Sequence, residues 1–277
     1  MGQKDFNEDE ITSFIKDSET TYNCRIAVSL MTVDGKQALD YRSSEKIHPA
    51  STIKVPVMIG VMQQIDEKKI SLDDTIVVNQ TFKSYVDGTD YDAPPSKALT
   101  EKLGQAVTIR ELLEEMITVS DNCATNLLMT KAGPVNITES NHKLGANGVK
   151  VLRCLEDEKA YQAGISNEVT AHDLTMLMAA IDANKAASPE SCKTMREVLG
   201  RQHYRSMIPA GVPEGVLVGN KTGNITGVDN DTAIVYAPFG HYYLTVMTDQ
   251  WKDGSKGSKV VPPISKRIYE KLGTARK

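Results

Sequence analysis

Ser51-Thr52-Ile53-Lys54-Val55-Pro56-Val57-Met58 divides this chain into two kinds of sequence. Just before it, Arg25 to Met31 reads as a strand that turns at Asp34-Gly35 into a second strand, Gln37 to Arg42. Just after it, helical periodicity takes over, at 52–67, 108–116, 121–131, 136–143 and 170–184. Pro56 fixes where the first of these helices can start. Proline is tolerated in an opening turn, whose amide hydrogens have no intrahelical partner, and costs about 3 kcal/mol deeper inside. The pattern therefore predicts a helix beginning near Ser51, with free amides and the positive end of its dipole at that serine.

Strand patterns return late, at Gly215 to Lys221, Thr232 to Tyr236 and Tyr242 to Thr248, before a last helix over 262–272; another helix, over 8–17, precedes the first strand. Strands at both ends of a helical middle predict an α+β fold, an antiparallel sheet flanked by terminal helices with an inserted all-helical lobe. The expected division is a sheet lobe from residues 1–50 and 202–277 and a helical lobe from 51–201. A small-molecule site is expected in the cleft between them.

With 277 residues, 40% of them hydrophobic and 25% charged, the chain can bury a substantial core. The net charge is −4, and there is no basic block, no aromatic residues interleaved with lysines and no long apolar run. These features argue against nucleic-acid and membrane-spanning roles and for a small soluble substrate. A monomer is expected. His48, His142, His172, His203 and His241 are scattered singly, so neither a metal nor an organic cofactor is expected. Cys24, Cys123, Cys154 and Cys192 lack close metal-ligand spacing, and their three complete pairings cannot be ranked, so free thiols are the expectation.

Three strings in fixed order carry the chemistry: Ser51-Thr52-Ile53-Lys54, Ser120-Asp121-Asn122 and Lys221-Thr222-Gly223. A serine hydroxyl is a poor nucleophile near neutral pH unless a neighbouring base takes its proton, and no histidine stands by. Lys54 can do so if held uncharged, and its spacing of three from Ser51 predicts hydrogen-bond contact on one helix face. A Ser-X-X-Lys is expected about once by chance in such a chain, whereas all three strings in order are expected in roughly one chain in a thousand.

In these strings the chain resembles the class A β-lactamases and their penicillin-binding relatives. Val107 to Leu113, Ile117 to Val119, Ala124 to Leu128, Gly133-Pro134 and Arg205-Ser206-Met207-Ile208-Pro209-Ala210-Gly211 look like further landmarks of that family. The likeness covers about residues 20–273. It implies an acyl-enzyme on Ser51, with Lys54 as base and Lys221 as the second cation that keeps it neutral. Ser120 would pass a proton to the departing nitrogen, and Asn122 would bond the substrate and orient Lys54. Lys221 and Thr222 would hold the substrate's carboxylate, Gly223 would let the ligand approach, and the amides of Ser51 and Asn224 would form the oxyanion hole. Asp121 is expected to be structural. The implied substrate is a β-lactam or a peptidoglycan-type peptide. The N-terminus Met1-Gly2-Gln3-Lys4-Asp5 shows no secretory signal, so the protein is either cytoplasmic or an exported mature form; the likeness favours a periplasmic or extracellular location after signal removal.

A class A enzyme also needs a carboxylate on its Ω-loop to activate the water that clears the acyl-enzyme, with an asparagine four residues later. In Arg153-Cys154-Leu155-Glu156-Asp157-Glu158-Lys159-Ala160-Tyr161 the best match is Glu156, with Glu158 second, and Ala160 stands where the asparagine should be. A solvated charge cluster is the plain alternative. A placed carboxylate implies a β-lactam hydrolase. Without one, the pattern is that of a penicillin-binding protein, D-alanyl-D-alanine peptidase or esterase with slow deacylation. Plain readings accompany the other residues: Ser-Asp-Asn also suits a helix N-cap, Lys-Thr-Gly a turn, Arg205 a structural ion pair, and Tyr91 a cleft wall or an ordinary loop residue.

Overall fold

The computed structural model describes residues 6–34, 37–252, 254 and 256–275. Helix α1 (Glu8–Tyr22) leads into strands β1 (Arg25–Thr32) and β2 (Gln37–Tyr41). The turn expected at Asp34-Gly35 lies partly outside the described residues. A 3₁₀ turn, Ala50–Ile53, runs into α2 (Lys54–Asp66). The helical middle continues through α3 (Ile109–Thr118), α4 (Asn122–Ala132), α5 (Pro134–Lys143), the short α6 (Glu158–Gln162), α7 (Ala171–Asp182) and α8 (Pro189–Gly200). Strands β3 (Leu217–Ile225), β4 (Val228–Ala237) and β5 (Gly240–Asp249) then lead to the final helix α9 (Gly257–Ala275).

The five strands form one antiparallel sheet in the order β2-β1-β5-β4-β3, so the first strands of the chain pair with the last. Period-two alternation sends alternate residues to opposite faces. Ile26, Val28, Leu30, Val235, Leu244 and Val246 bury against Ile11 and Ile15 of α1 and Val260, Val261, Ile264 and Ile268 of α9. Their neighbours Ala27, Ile234, Tyr243 and Met247 join the larger core built by the helical middle. There α7 lies along the sheet, and its buried Thr175 hydroxyl contacts Thr245 Oγ1 at 2.8 Å.

Helix starts follow local chemistry. The side chains of Thr108, Asp121, Asp157 and Ser188 accept the first free amides of α3, α4, α6 and α8. At Thr170 and Asp173 a reciprocal capping box starts α7. Three helices depart from expectation. Helices α6 and α8 went unread in the sequence, although Ser188-Pro189 is a sound start signal for α8. Helix α9 begins five residues before Pro262, not at it, because Val260 and Val261 are buried there and anchor the turn upstream of the prolines. Among the described residues no helix is long and apolar enough to cross a membrane.

The segment after Met207 passes close under α9. A Cβ on Gly211 would lie 2.4 Å from the Pro262 carbonyl oxygen and 2.5 Å from Ser265 Cβ. Backbone cannot yield as a side-chain tip can. We therefore expect Gly211→Ala to lower stability by roughly 1–3 kcal/mol, read as a reduced urea midpoint with unchanged slope; an unaltered midpoint contradicts this packing.

Candidate active site

Ser51 sits in the 3₁₀ turn that precedes α2, immediately after Ala50, whose φ of 46° places it in the left-handed region. Strands fix this turn from behind. Asn230 of β4 donates its side-chain amide to the carbonyls of His48 (2.9 Å) and Pro49 (3.1 Å). Gly223 of β3 is pressed so near that a Cβ would lie 2.8 Å from Pro49 O and 3.0 Å from the amide nitrogens of Ser51 and Thr52. The Lys-Thr-Gly string is therefore strand, not turn, and its glycine is required by close approach of two backbones.

Lys54 is fully buried, and its amine contacts Ser120 O at 2.6 Å, Asn122 Oδ1 at 2.7 Å and Ser120 Oγ at 3.1 Å. Burial, then the neighbouring Lys221, hold this amine well below the ordinary lysine range, against the pull of Asp121 and Glu156. A neutral amine has two hydrogens and one lone pair. In that form the two short contacts, to oxygens that only accept, would take the hydrogens and leave the lone pair facing the Ser120 hydroxyl. Lys221, also fully buried, donates to Ser120 Oγ at 3.0 Å and to Thr222 O at 2.8 Å. Ser120 thus accepts from one lysine and can donate to the other.

This arrangement corrects one expectation. Among the described residues the Ser51 hydroxyl has no hydrogen-bond partner, and Lys54 is bonded to Ser120 and Asn122 instead of to Ser51. The reason is valence: every position on the Lys54 nitrogen is already engaged from across the cleft.

Ser120 has φ 61°, and Asp121 after it is extended (φ −62°, ψ 126°), as suits the N-cap of α4. Asp121 caps α4 through the Ala124 amide at 2.6 Å and also takes the Ser96 amide, so it is structural as expected. Capping and site chemistry coexist in this string: the middle residue caps while its neighbours meet Lys54. Asn122 in turn donates its amide to Glu156, which lies at φ 63° in the loop before α6. Asn126, one turn along α4, clamps both backbone atoms of Leu155, accepting its amide at 2.6 Å and donating to its carbonyl at 3.0 Å. Tyr91 donates to the same carbonyl at 3.1 Å and packs on Phe82, so it supports the loop and lies on neither cavity wall described below. Glu158 instead accepts from Gln162 within its own helix, and Ala160 is fully buried in α6.

Two cavities meet at Ser51. One, of about 590 Å³, is lined by Ser120, Asn122, Thr222 and Asn224. The other, of about 340 Å³, is lined by Asn122, Glu156, Glu158, Tyr161 and Asn224. Behind Lys221 lies the buried Asp231, which accepts from Ile208 N at 2.9 Å and Asn220 Nδ2 at 3.0 Å. Burial lowers Lys221 to about 7, opposed by the Asp231 charge, and burial raises the Asp231 carboxyl to about 7. Among the described residues Arg205 forms no ion pair, contrary to expectation; it donates to Val218 O at 3.0 Å. All four cysteines are free thiols.

A sheet flanked by terminal helices, with buried lysines and two serines at the edge of a helical lobe, is the β-lactamase/transpeptidase fold. The chain belongs to the β-lactamase enzyme family, whose model matches residues 9–272, and it is a β-lactamase-like hydrolase acting on β-lactams. It is 24% identical over 264 residues to a β-lactamase of Streptomyces albus G, covering 92% of this chain and 82% of that one. The crystal structure of a β-lactamase from Sphaerobacter thermophilus DSM 20745 superposes with a TM-score of 0.84 at 25% identity, covering 97% of this chain and 98% of that one. PBP-A, at 22% identity, shares the fold with a TM-score of 0.79, covering 94% of this chain and 95% of that one.

Sequence reasoning did not find Asn126, Asn230 or Asp231. Asn126 stands just before the apolar Leu127-Leu128-Met129, whereas Asn230 and Asp231 belong to the polar run Asp229-Asn230-Asp231-Thr232 at the start of an otherwise apolar strand. Since burial depresses Lys221 and Asp231 favours its ammonium form, the amine should titrate near pH 7, and Asp231→Asn should move that titration to lower pH. Lysine side-chain NMR checks both; a Lys221 amine titrating near 10 contradicts the burial argument.

Proposed function

We propose that the protein is a class A serine β-lactamase that opens the β-lactam amide through an acyl-enzyme on Ser51. The observation that carries this reading is the Lys54–Ser120–Lys221 contact chain beside Ser51, in which burial and Lys221 hold the Lys54 amine well below the ordinary lysine range. In a 3₁₀ turn residues three apart eclipse, so Ser51 and Lys54 stand in line. As the substrate carbonyl arrives, the Ser120 hydroxyl turns from Lys54 to the substrate, and the freed lone pair takes the Ser51 proton directly or through a bound water. The carbonyl oxygen becomes negative and is met by the Ser51 and Asn224 amides; loss of one such donor costs about 3 to 4 kcal/mol of barrier lowering. The proton then reaches the departing nitrogen from Ser120, which is resupplied by Lys54. Lys221 and the Thr222 hydroxyl receive the polar group next to that nitrogen, while Gly223 keeps the strand free of a side chain beneath it.

Glu156 activates the water that clears the acyl-enzyme. It is the carboxylate coupled to Asn122, and through it to Lys54, whereas Glu158 is turned to Gln162. We place the protein outside the cytoplasm, where cell-wall substrates and β-lactams are met.

Ser51→Ala should abolish covalent labelling by penicillin, seen as no mass increase; persistent labelling at the same peptide refutes the nucleophile. Glu156→Gln should slow release by at least about 100-fold, so that acyl-enzyme accumulates with a mass gain equal to the opened drug. Turnover of a chromogenic cephalosporin at the normal rate would pass the base role to Glu158.

A further inference from the structure

The loop that carries Glu156 is tied down from outside by a hairpin that the proposed reaction does not otherwise use. Its two short strands, Thr81–Lys83 and Asp90–Asp92, pair antiparallel with Phe82 opposite Tyr91. Phe82 is buried in the core of the helical middle, and Cys123 of α4 contacts Asn79 O at 3.2 Å, so the base of the hairpin is fixed. From it, contacts run to residues on either side of Glu156. Tyr91 donates to Leu155 O at 3.1 Å. Ser84 Oγ and Tyr85 N donate to the Asp157 carboxylate at 3.0 and 2.7 Å. Lys159 Nζ reaches Asp87 Oδ2 at 3.0 Å and Thr89 Oγ1 at 2.7 Å.

Asp157 is the innermost of these ties. It is 2% exposed, and its Oδ1 also takes Ala160 N at 3.1 Å at the start of α6. Three donors, two of them from the hairpin, therefore compensate its charge, and among the described residues no lysine or arginine forms an ion pair with it. Pulling the hairpin away would strip two of the three from a buried carboxylate, which is costly. The neck of the loop supplies no comparable contact. Asn167 closes it through Leu152 N, Arg153 N and Arg153 O, and the Arg153 guanidinium bonds only the carbonyls of Ile165 and Cys154.

Glu156 stands between these anchors at φ 63°, a conformation that a non-glycine residue keeps only where its surroundings hold it. Among the described residues its carboxylate makes one contact, to Asn122, so a shift of the loop moves that group directly. The acylating groups are independent of the tie: none of Ser51, Lys54, Ser120 and Lys221 is hydrogen-bonded to Asp157 or to residues 81–92.

We propose that Asp157 is a positioning residue that locks the Glu156 loop onto this hairpin, so that clearing of the acyl-enzyme, and not its formation, depends on the contact. The inference rests on the acyl-transfer reading with Glu156 as the base.

Mass spectrometry of the full chain mixed with benzylpenicillin times acylation and release separately. Asp157→Ala should slow release at least about tenfold, since a displacement on the order of 1 Å is enough for such a loss. Acylation should stay within about twofold of wild type. Ser84→Ala removes one hairpin donor, keeps the cap of α6, and should slow release about threefold. Asp157→Asn should recover part of the loss, because its amide oxygen can still take Tyr85 N while its nitrogen donates to Ser84 Oγ. Partial unfolding cannot mimic this pattern: it lowers the fraction of protein acylated and leaves both rate constants alone. Should Asp157→Ala not fold, Ser84→Ala decides. Release unaltered in either variant, or acylation slowed as much as release, overturns the inference. If Glu156→Gln releases the acyl group as fast as wild type, the base assignment fails and takes this inference with it; release blocked in Glu156→Gln but normal in Asp157→Ala overturns the inference only.

Discussion

Two buried lysine amines sharing one serine hydroxyl set the terms for the rest of this structure. Two ammonium groups cannot both stay charged, fully buried, at either side of Ser120 without a severe electrostatic penalty. Burial therefore forces at least one toward the neutral amine, and the contacts of Lys54 leave its lone pair facing Ser120. The surroundings are built to tolerate this. Asn122 and the Ser120 carbonyl satisfy the Lys54 hydrogens, Thr222 O takes one from Lys221, and Asp231 supports Lys221 from behind.

The network holds only because three backbone segments are kept in place. The turn carrying Ser51 is fixed by Asn230 and by the glycine contact of β3. The Ser120 turn is fixed by the Asp121 cap, and the Glu156 loop by Asn126 and Tyr91 at Leu155. Ala50, Ser120 and Glu156 all adopt positive φ, and all three lie at the cleft. Such conformations persist when surrounding contacts over-determine them, which is the case at each of these positions.

Much of the fold was legible in the sequence because strand alternation, helical period and turn residues are local signals. The strands at both ends, the helices around Ser51 and Ser120, and the three strings with their residue types could all be read in this way. The last helix, read over 262–272, begins at Gly257 because burial of Val260 and Val261 extends it upstream, which no local pattern signals. The chain by itself determined which groups could react: a serine three before a lysine, a second serine, and a Lys-Thr-Gly on a strand. Tertiary structure alone decided that Lys54 bonds across the cleft to Ser120 and not to Ser51, and that Glu156 reaches Asn122 while Glu158 does not. These outcomes depend on burial and on contacts between residues 34 to 101 positions apart, which no local pattern encodes.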